Sequence, residues 1–215
     1  MTDAAMQKKT IELGRDVFKD HIAEYKHIGE NFDVLDFRKP GTICYSFRMV
    51  FDREYGNAAY ISGDMGEAVI YPTCDCTLEG FAKCFTYRNK MGDLDFNEPY
   101  FMEKIRAISD GKYEYDLDDF KEDLKDRFDE HGVIEEWDYF EEEYLDSFAD
   151  HVSVYPDSLI AVDSDTTEWL GDHGIGCEDL YQCGRRINQR IILWLVAIRL
   201  AWEQIQAKER HEDNS

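Results

Sequence analysis

The sequence predicts an α+β fold: an antiparallel β-meander of about four strands in the N-terminal third, packed with a mostly helical remainder and a long C-terminal helix. Three observations lead to this expectation. Residues 42–51 (TICYSFRMVF) set Ile43, Tyr45, Phe47, Met49 and Phe51 at alternate positions, the period of a half-buried strand. Short apolar runs on either side of it are separated by Gly-containing turns. Beyond Thr77 the apolar residues recur at spacings of three and four, the period of a helix. Strands first and helices afterwards is the α+β pattern. With 215 residues, 43% of them hydrophobic and 14% aromatic, the chain can bury one large core. A single domain over residues 1–215 is therefore expected.

A first helix carries Val17, Phe18, Ile22 and Tyr25 on one face and runs out near Gly29. Residues 32–37 form the first strand, and Pro40-Gly41 turns the chain into the 42–51 strand. The Glu54-Tyr55-Gly56-Asn57 turn leads to a strand at residues 59–61. The Gly63-Asp64-Met65-Gly66 turn leads to another at residues 68–71, stopped by Pro72. Thr77 caps a helix running to about Arg88. Asn97 caps the next, with Glu98 and Pro99 in its first turn, where an acid meets the helix dipole and no N–H is missed. Asp116 opens a helix with Phe120, Leu124 and Phe128 on one face, closed by His131-Gly132. Another follows, with Ile134, Trp137, Tyr144 and Phe148 along its seam, where Glu141 intrudes and Phe140 fills the gap. Pro156 marks a loop. The final helix starts near Gly184 and runs to about Lys208, and its IILWLVAI run is apolar on nearly all sides, as a helix central to the core would be.

The charge is unevenly spread. In all, 47 Asp and Glu oppose 24 Lys and Arg, a formal charge of -23. Residues 1–92 carry 14 acids and 12 bases, residues 93–150 carry 22 and 6, and residues 151–215 carry 11 and 6. A net -16 thus sits in 58 residues. A pI near 4.5 argues against a chain that itself grips phosphate backbones, and the aromatic content excludes a disordered acidic tail. Apolar stripes bury one side of each helix in this segment, so its carboxylates share the opposite sides. They are Glu114, Asp118, Asp119, Glu122, Asp123, Asp126, Asp129, Glu130, Glu135, Glu136, Asp138, Glu142, Glu143 and Asp146. Crowded like charges cost stability by self-repulsion and are disfavoured unless something is gained. The gain expected here is recognition: negative groups at roughly phosphate spacing, offered to a protein whose basic groove holds nucleic acid. Tyr113, Tyr115, Trp137 and Tyr139 lie among these acids as aromatic anchors. A merely solvated acidic surface is the plain alternative.

Other constellations explain less. Cys74-Asp75-Cys76 with Cys84, and His173 with Cys177 and Cys183, contain enough soft ligands for a four-coordinate zinc site. Neither set has a C-x2-C knuckle, and free thiols serve equally as small core residues. Asp93-Leu94-Asp95-Phe96-Asn97 begins like a calcium loop, but Glu98 and Lys104 stand where Gly and a bidentate Glu are required. Asp64 and Glu67 lie at a turn whose glycines are explained by its tightness. Asp163-Ser164-Asp165 reads as a helix cap. Arg185, Arg186 and Arg190 are expected to pair with surplus carboxylates. There is no G-x-S-x-G, no glycine-rich phosphate cradle and no HExxH. His21, His27, His131, His151, His173 and His211 lack a partner at a recognised spacing. No catalytic residue, metal or cofactor is assigned, and the chain is not expected to be an enzyme. Six cysteines are too few for a disulfide scaffold, and MTDAAMQKKT has no apolar core of a signal peptide. The longest apolar run, residues 191–198, falls short of the roughly 18–20 needed to span a bilayer. A reduced, cytoplasmic protein follows.

Three segments, AYISGDMGEAVIYP at 59–72, NEPYFMEKIRAISDGKYEYD at 97–116 and the closing IILWLVAIRLAWEQI, together resemble a family of acidic proteins from phages and mobile elements of gut Firmicutes. The resemblance covers most of the chain through short motifs and is one of layout. It implies a phage or prophage origin and an anti-CRISPR-like character, and it transfers no catalytic residues. Joined to the acidic segment, it sets the functional expectation: an inhibitor of a host nucleic-acid-binding defence enzyme, either a CRISPR effector or a restriction nuclease. Acting as an acidic nucleic-acid mimic, it would block a basic groove without cofactor, membrane or direct nucleic-acid contact. The carboxylates named above, with Tyr139, are the expected partner-binding residues. One alternative is a structural module of a mobile element that forms a homodimer through the C-terminal helix. The other is a metal-dependent enzyme using Asp64 and Glu67 or the Cys/His set.

Overall fold

The computed structural model describes residues 3–54, 56–109, 111–145, 164–176 and 183–212. Its elements, in chain order, are α1 (Asp3–Val17), β1 (Ile22–Ile28), β2 (Phe32–Arg38), β3 (Phe47–Asp52), β4 (Ala58–Gly63), β5 (Ala68–Ile70), α2 (Leu78–Phe85), β6 (Thr86–Arg88) and β7 (Leu94–Phe96). There follow α3 (Glu98–Lys104), β8 (Ile105–Ile108), β9 (Tyr113–Tyr115), α4 (Leu117–Glu130), a 3-10 turn (Ile134–Glu136), α5 (Trp137–Glu143), α6 (Ser164–Asp172), β10 (Arg185–Ile187) and α7 (Gln189–Glu212). The fold is α+β, with the antiparallel sheet in the N-terminal part and the long helix at the C-terminal end, as its sequence predicts. The chain forms two compact units, one from residues 2–112 with 188–215 and the other from residues 113–187.

The first unit is built on a six-stranded antiparallel sheet ordered β1-β2-β3-β4-β5-β8. The meander thus holds five consecutive strands rather than four, and β8 joins at its edge. Period-two alternation sets its two faces: Leu35, Phe37, Phe47, Met49, Phe51, Ala59, Ile61 and Ile70 are buried, while Glu24, Lys26, Arg48 and Tyr60 are exposed on the other side. On the buried face α7 packs against α1, α2 and β1. Residues 191–198 of α7 are all buried, as a helix apolar all round must be. Gly14 lets α1 approach closely: a Cβ there would stand 3.0 Å from Val196 Cγ1. α7 also closes the start of edge strand β1. Ala23 N donates to Gln204 Oε1 at 3.0 Å, and Lys208 Nζ donates to Ala23 O at 2.8 Å.

Several expected boundaries are corrected. The helix predicted to reach Gly29 stops at Val17, and residues 22–28 are β1. Pairing every residue from Ile22 to Ile28 with β2 outweighs a local helical spacing that Ile22 and Tyr25 happened to share with Phe18. Strand β3 begins at Phe47 and not at Thr42, because Tyr45 turns the chain with φ +54°. Helix α2 ends at Phe85, where β6 begins a small hairpin with β7. Thr77 caps α2, its Oγ1 accepting from Gly80 N at 3.0 Å, whereas Asn97 makes no capping bond to α3. The last helix begins at Gln189, since residues 185–187 pair as β10 with β9.

The second unit has its own apolar core, in which Phe120, Leu124, Phe128, Trp137, Phe140, Leu170, Ile175 and Cys183 pack together. Asp116 caps α4 through Oδ1, which accepts from Asp119 N at 2.9 Å. His131 and Gly132 (φ +72°) close it. At Gly184 (φ +65°) a Cβ would lie 2.6 Å from Phe120 Cβ, so only glycine lets this segment rest on α4. The turn at Tyr55, the seam position Phe148 and the loop at Pro156 lie outside the described residues. No helix among the described residues is long and apolar enough to cross a membrane.

Candidate acidic interface

The division into units sharpens the charge asymmetry. Residues 113–187 hold 24 Asp and Glu against 5 Lys and Arg, a formal -19, which leaves -4 for the remainder of the chain. No Lys or Arg occurs between Arg127 and Arg185. The acidic boundary therefore falls at β9, some twenty residues later than the composition break at residue 93.

Helix α4 turns its acids away from the core. At 100° per residue, Phe120, Leu124 and Phe128 define the core direction, and Asp118, Glu122, Asp126 and Asp129 fall on the opposite side. All four are exposed, and at 1.5 Å rise per residue they recur about every 4.5–6 Å along the helix. Lys125, beside this stripe, places its ammonium 5.6 Å from the ring centroid of the Trp137 indole.

Asp119 and Asp123 lie elsewhere, which corrects the expectation that the carboxylates all share the outward side. Rotated toward β10, Asp119 Oδ2 accepts from Arg186 Nε at 3.2 Å. Asp123 accepts from Arg186 Nη1 at 3.0 Å and from Gly184 N at 2.8 Å. Asp119 is only 7% exposed. Arg186 therefore does pair with surplus carboxylates, and it holds β10 to α4. Glu114 sits in β9 directly opposite Arg186, and Glu130 pairs with Arg127 one turn back. Glu135, Glu136, Asp138, Glu142 and Glu143 are exposed on the 3-10 turn and α5, whereas Asp146 lies outside the described residues.

The expected aromatic anchors divide likewise. Tyr139 is exposed. Trp137 is buried edge-on against Phe128, and its Nε1 donates to Glu141 Oε2 at 3.2 Å. The Tyr113 ring is covered by the Arg185 guanidinium at 3.5 Å. Sequence reasoning gave Asp165 only a capping role and missed Glu168 and Asp172; all three are exposed on α6. Their spacing of three and four was the available signal.

The rival constellations have structural explanations in the first unit. Asp64 Oδ2 accepts from Tyr45 N at 2.8 Å, and Gly63 (φ +136°) lies where a Cβ would stand 2.3 Å from Ser46 O. The Gly-Asp-x-Gly turn is thus a brace for the neighbouring loop. Cys76 Sγ donates to Ala58 O at 3.2 Å in the core, and burial pushes its thiol up to about 11. Burial, with neighbouring Cys84, pushes Cys74 up to about 12, so both thiols stay protonated at neutral pH. Among the described residues no group of three or more His, Cys, Asp or Glu converges to hold a metal ion. Cys177 and Asp163 lie outside them. Asp95 lies within β7, with Asp93 and Asn97 on either side of that strand, so the three do not form a loop.

A buried network that the sequence reading did not identify centres on Asp33. Its carboxylate accepts from Tyr25 Oη at 2.7 Å, contacts His27 Nδ1 at 2.6 Å and is bound by the Arg53 guanidinium. Burial pushes the Asp33 carboxyl up, but the hydrogen bonds from Arg53, Tyr25 and His27 outweigh it and hold it below the usual carboxylate range. The signal was present in FDVLDF, where Asp33 shares the inward phase of Leu35 and Phe37.

Comparison with protein-family models, curated proteins and solved structures finds no match to this chain.

Proposed function

We propose that this chain is a phage-type inhibitor of a host nucleic-acid-binding defence enzyme, a CRISPR effector or restriction nuclease, acting in the host cytoplasm as an acidic nucleic-acid mimic. The observation that carries the reading is the outward stripe Asp118, Glu122, Asp126 and Asp129 on a unit of formal charge -19. The likeness of three segments to acidic phage proteins agrees with it. The stripe acts by supplying fixed carboxylates to Lys and Arg side chains that otherwise hold phosphates. Association is steered by opposite charge, displaces counterions and weakens steeply with salt. Glu135, Glu136, Asp138, Glu142 and Glu143 widen the acidic surface, and Tyr139 offers a ring to a guanidinium. Asp119 and Asp123 contribute through the fold, because both already pair with Arg186. No cofactor or catalytic group is required.

Self-association through the C-terminal helix is less favoured, because residues 191–198 are already buried within their own unit. A competition assay tests the proposal. At low salt, the protein should release DNA or guide-bound target from the basic groove of a defence nuclease, and the effect should fade as salt rises. Unchanged nuclease binding at low salt, across CRISPR effectors and restriction enzymes of the host, would exclude it.

A further inference from the structure

The loop joining β2 to β3 is held in a conformation that its own residues disfavour. Tyr45 has φ +54°, a left-handed backbone that an aromatic residue seldom adopts. The turn is fixed from both sides. Tyr45 N donates to Asp64 Oδ2 at 2.8 Å, and the Tyr45 carbonyl faces His21 Nε2 at 3.2 Å. Asp64 N donates to Ser46 O at 3.1 Å, while Gly63 lies directly on that same carbonyl. The braced turn displays Ile43, 76% exposed, and Tyr45, 43% exposed.

His21 is the titratable part of this brace. A carbonyl oxygen only accepts, so Nε2 must carry the proton, and Nδ1 is left with a bare lone pair. That nitrogen is buried without a hydrogen-bond partner. The ring, 4% exposed as a residue, lies 5.0 Å from Phe18, edge to face, and 5.3 Å from Phe37. Burial pushes the His21 pKa below its ordinary value, against the opposing pull of the Tyr45 carbonyl. Around it, Asp20 and Lys39 are engaged with each other at 2.8 Å. From α7, Gln204 Nε2 and Lys208 Nζ donate to the carbonyls of His21 and Ala23. Asp64 stands on the far side of Tyr45, bonded to its N–H.

We infer that His21 is a proton-operated latch on residues 41–46: the neutral ring holds the Tyr45 carbonyl and its left-handed turn, and protonation at Nδ1 releases the loop together with the exposed Ile43 and Tyr45 it displays. A proton on Nδ1 would face Phe18 and Phe37 with no acceptor, and the ring is relieved by leaving its pocket, which breaks the Nε2–H bond to Tyr45. Once released, the hydrated ring titrates near 6.5, above its latched value. Protons therefore bind the open state more tightly, and between the two values opening becomes about tenfold more favourable for each pH unit of acidification.

Amide exchange on the full chain from pH 8 to pH 5, corrected for intrinsic rates, tests the latch. Protection of the Tyr45 and Asp64 amides should fall by up to about tenfold per pH unit below about 6.5. Met49 and Ile61, deep in the sheet, should keep theirs. The variant His21→Gln, whose amide still donates but does not titrate, should show flat Tyr45 protection. A Tyr45 profile that is flat in the wild type, falls equally in His21→Gln, or falls together with Met49 would overturn the inference. Should His21→Gln not fold, the ring titration decides: a His21 midpoint that fails to coincide with the loss of loop protection also overturns it.

Discussion

Replacing Arg186 with methionine probes how the acidic unit holds itself together. The Arg186 side chain is 11% exposed and donates to Asp119 and to both oxygens of Asp123. Arg186→Met keeps an apolar stem of similar reach but leaves the Asp119 carboxylate buried without its guanidinium. Removing one partner of a buried ion pair costs about 3–5 kcal/mol. Asp123 is 31% exposed at its side chain and retains the Gly184 N–H, so the low end applies, about 3 kcal/mol. Against the 5–15 kcal/mol margin of an ordinary domain, that lowers the melting temperature of this unit by roughly 10–20 °C. Trp137 and Trp169 lie in this unit's core, and their near-UV signal followed through thermal and urea unfolding gives the assay. The triple variant Arg186→Met/Asp119→Asn/Asp123→Asn should recover more than half of the loss, since no uncompensated charge then remains. A loss under about 1 kcal/mol in Arg186→Met, or no recovery in the triple variant, would refute the clamp.

Two further expectations follow from the same reasoning. Asp33 is held below its ordinary pKa, so its network contributes fully above the unfolded value near 3.9 and is lost as pH falls through the lower folded value. The gap between wild type and Asp33→Asn, about 3 kcal/mol at neutral pH, should therefore close below about pH 4, and urea midpoints giving the same gap at pH 7 and pH 3 would contradict it. Neutralising the α4 stripe (Asp118→Asn, Glu122→Gln, Asp126→Asn, Asp129→Asn) relieves like-charge neighbours worth about 0.2–0.5 kcal/mol each. Stability should rise by about 1 kcal/mol while binding to a basic nuclease weakens at low salt and loses up to about four units of salt slope. Raised stability with unchanged binding would mark the stripe as a solvated surface alone.

What the sequence reveals depends on how local each determinant is. The core face of α4 was legible because Phe120, Leu124 and Phe128 repeat within one helix, and the caps Thr77 and Asp116 because each acts three residues away. β1 was not, since residues 22–28 become a strand only by pairing with β2. Strands β8 and β10, four and three residues long, are too short to show a period and owe their existence to partners distant in sequence. The same distance hid the Arg186 clamp, whose carboxylates lie 63 and 67 residues away. Counting charge located the acidic region but could not rank its members: by helical phase Asp119 lies as far from the core direction as Asp129, and it is buried only because Arg186 of β10, 67 residues away, reaches it.

The distribution of charge between the two units bears on why such a stripe persists. Repulsion among Asp118, Glu122, Asp126 and Asp129 acts within a Debye length of about 8–10 Å and is strongest between successive members about 4.5–6 Å apart along the helix. The unit itself carries 5 Lys and Arg against 24 Asp and Glu, with no Lys or Arg between Arg127 and Arg185, and Arg186 is already committed to Asp119 and Asp123. Its aromatic core and the Arg186 clamp help hold the unit folded against its own field. The repulsion is relieved when cations come from outside, and a ligand that binds only the folded unit at a hundredfold its dissociation constant adds about 2.7 kcal/mol. A stripe that is costly alone and relieved by outside cations is consistent with the basic partner proposed above, and the salt dependence of that binding is what distinguishes it from a merely solvated surface.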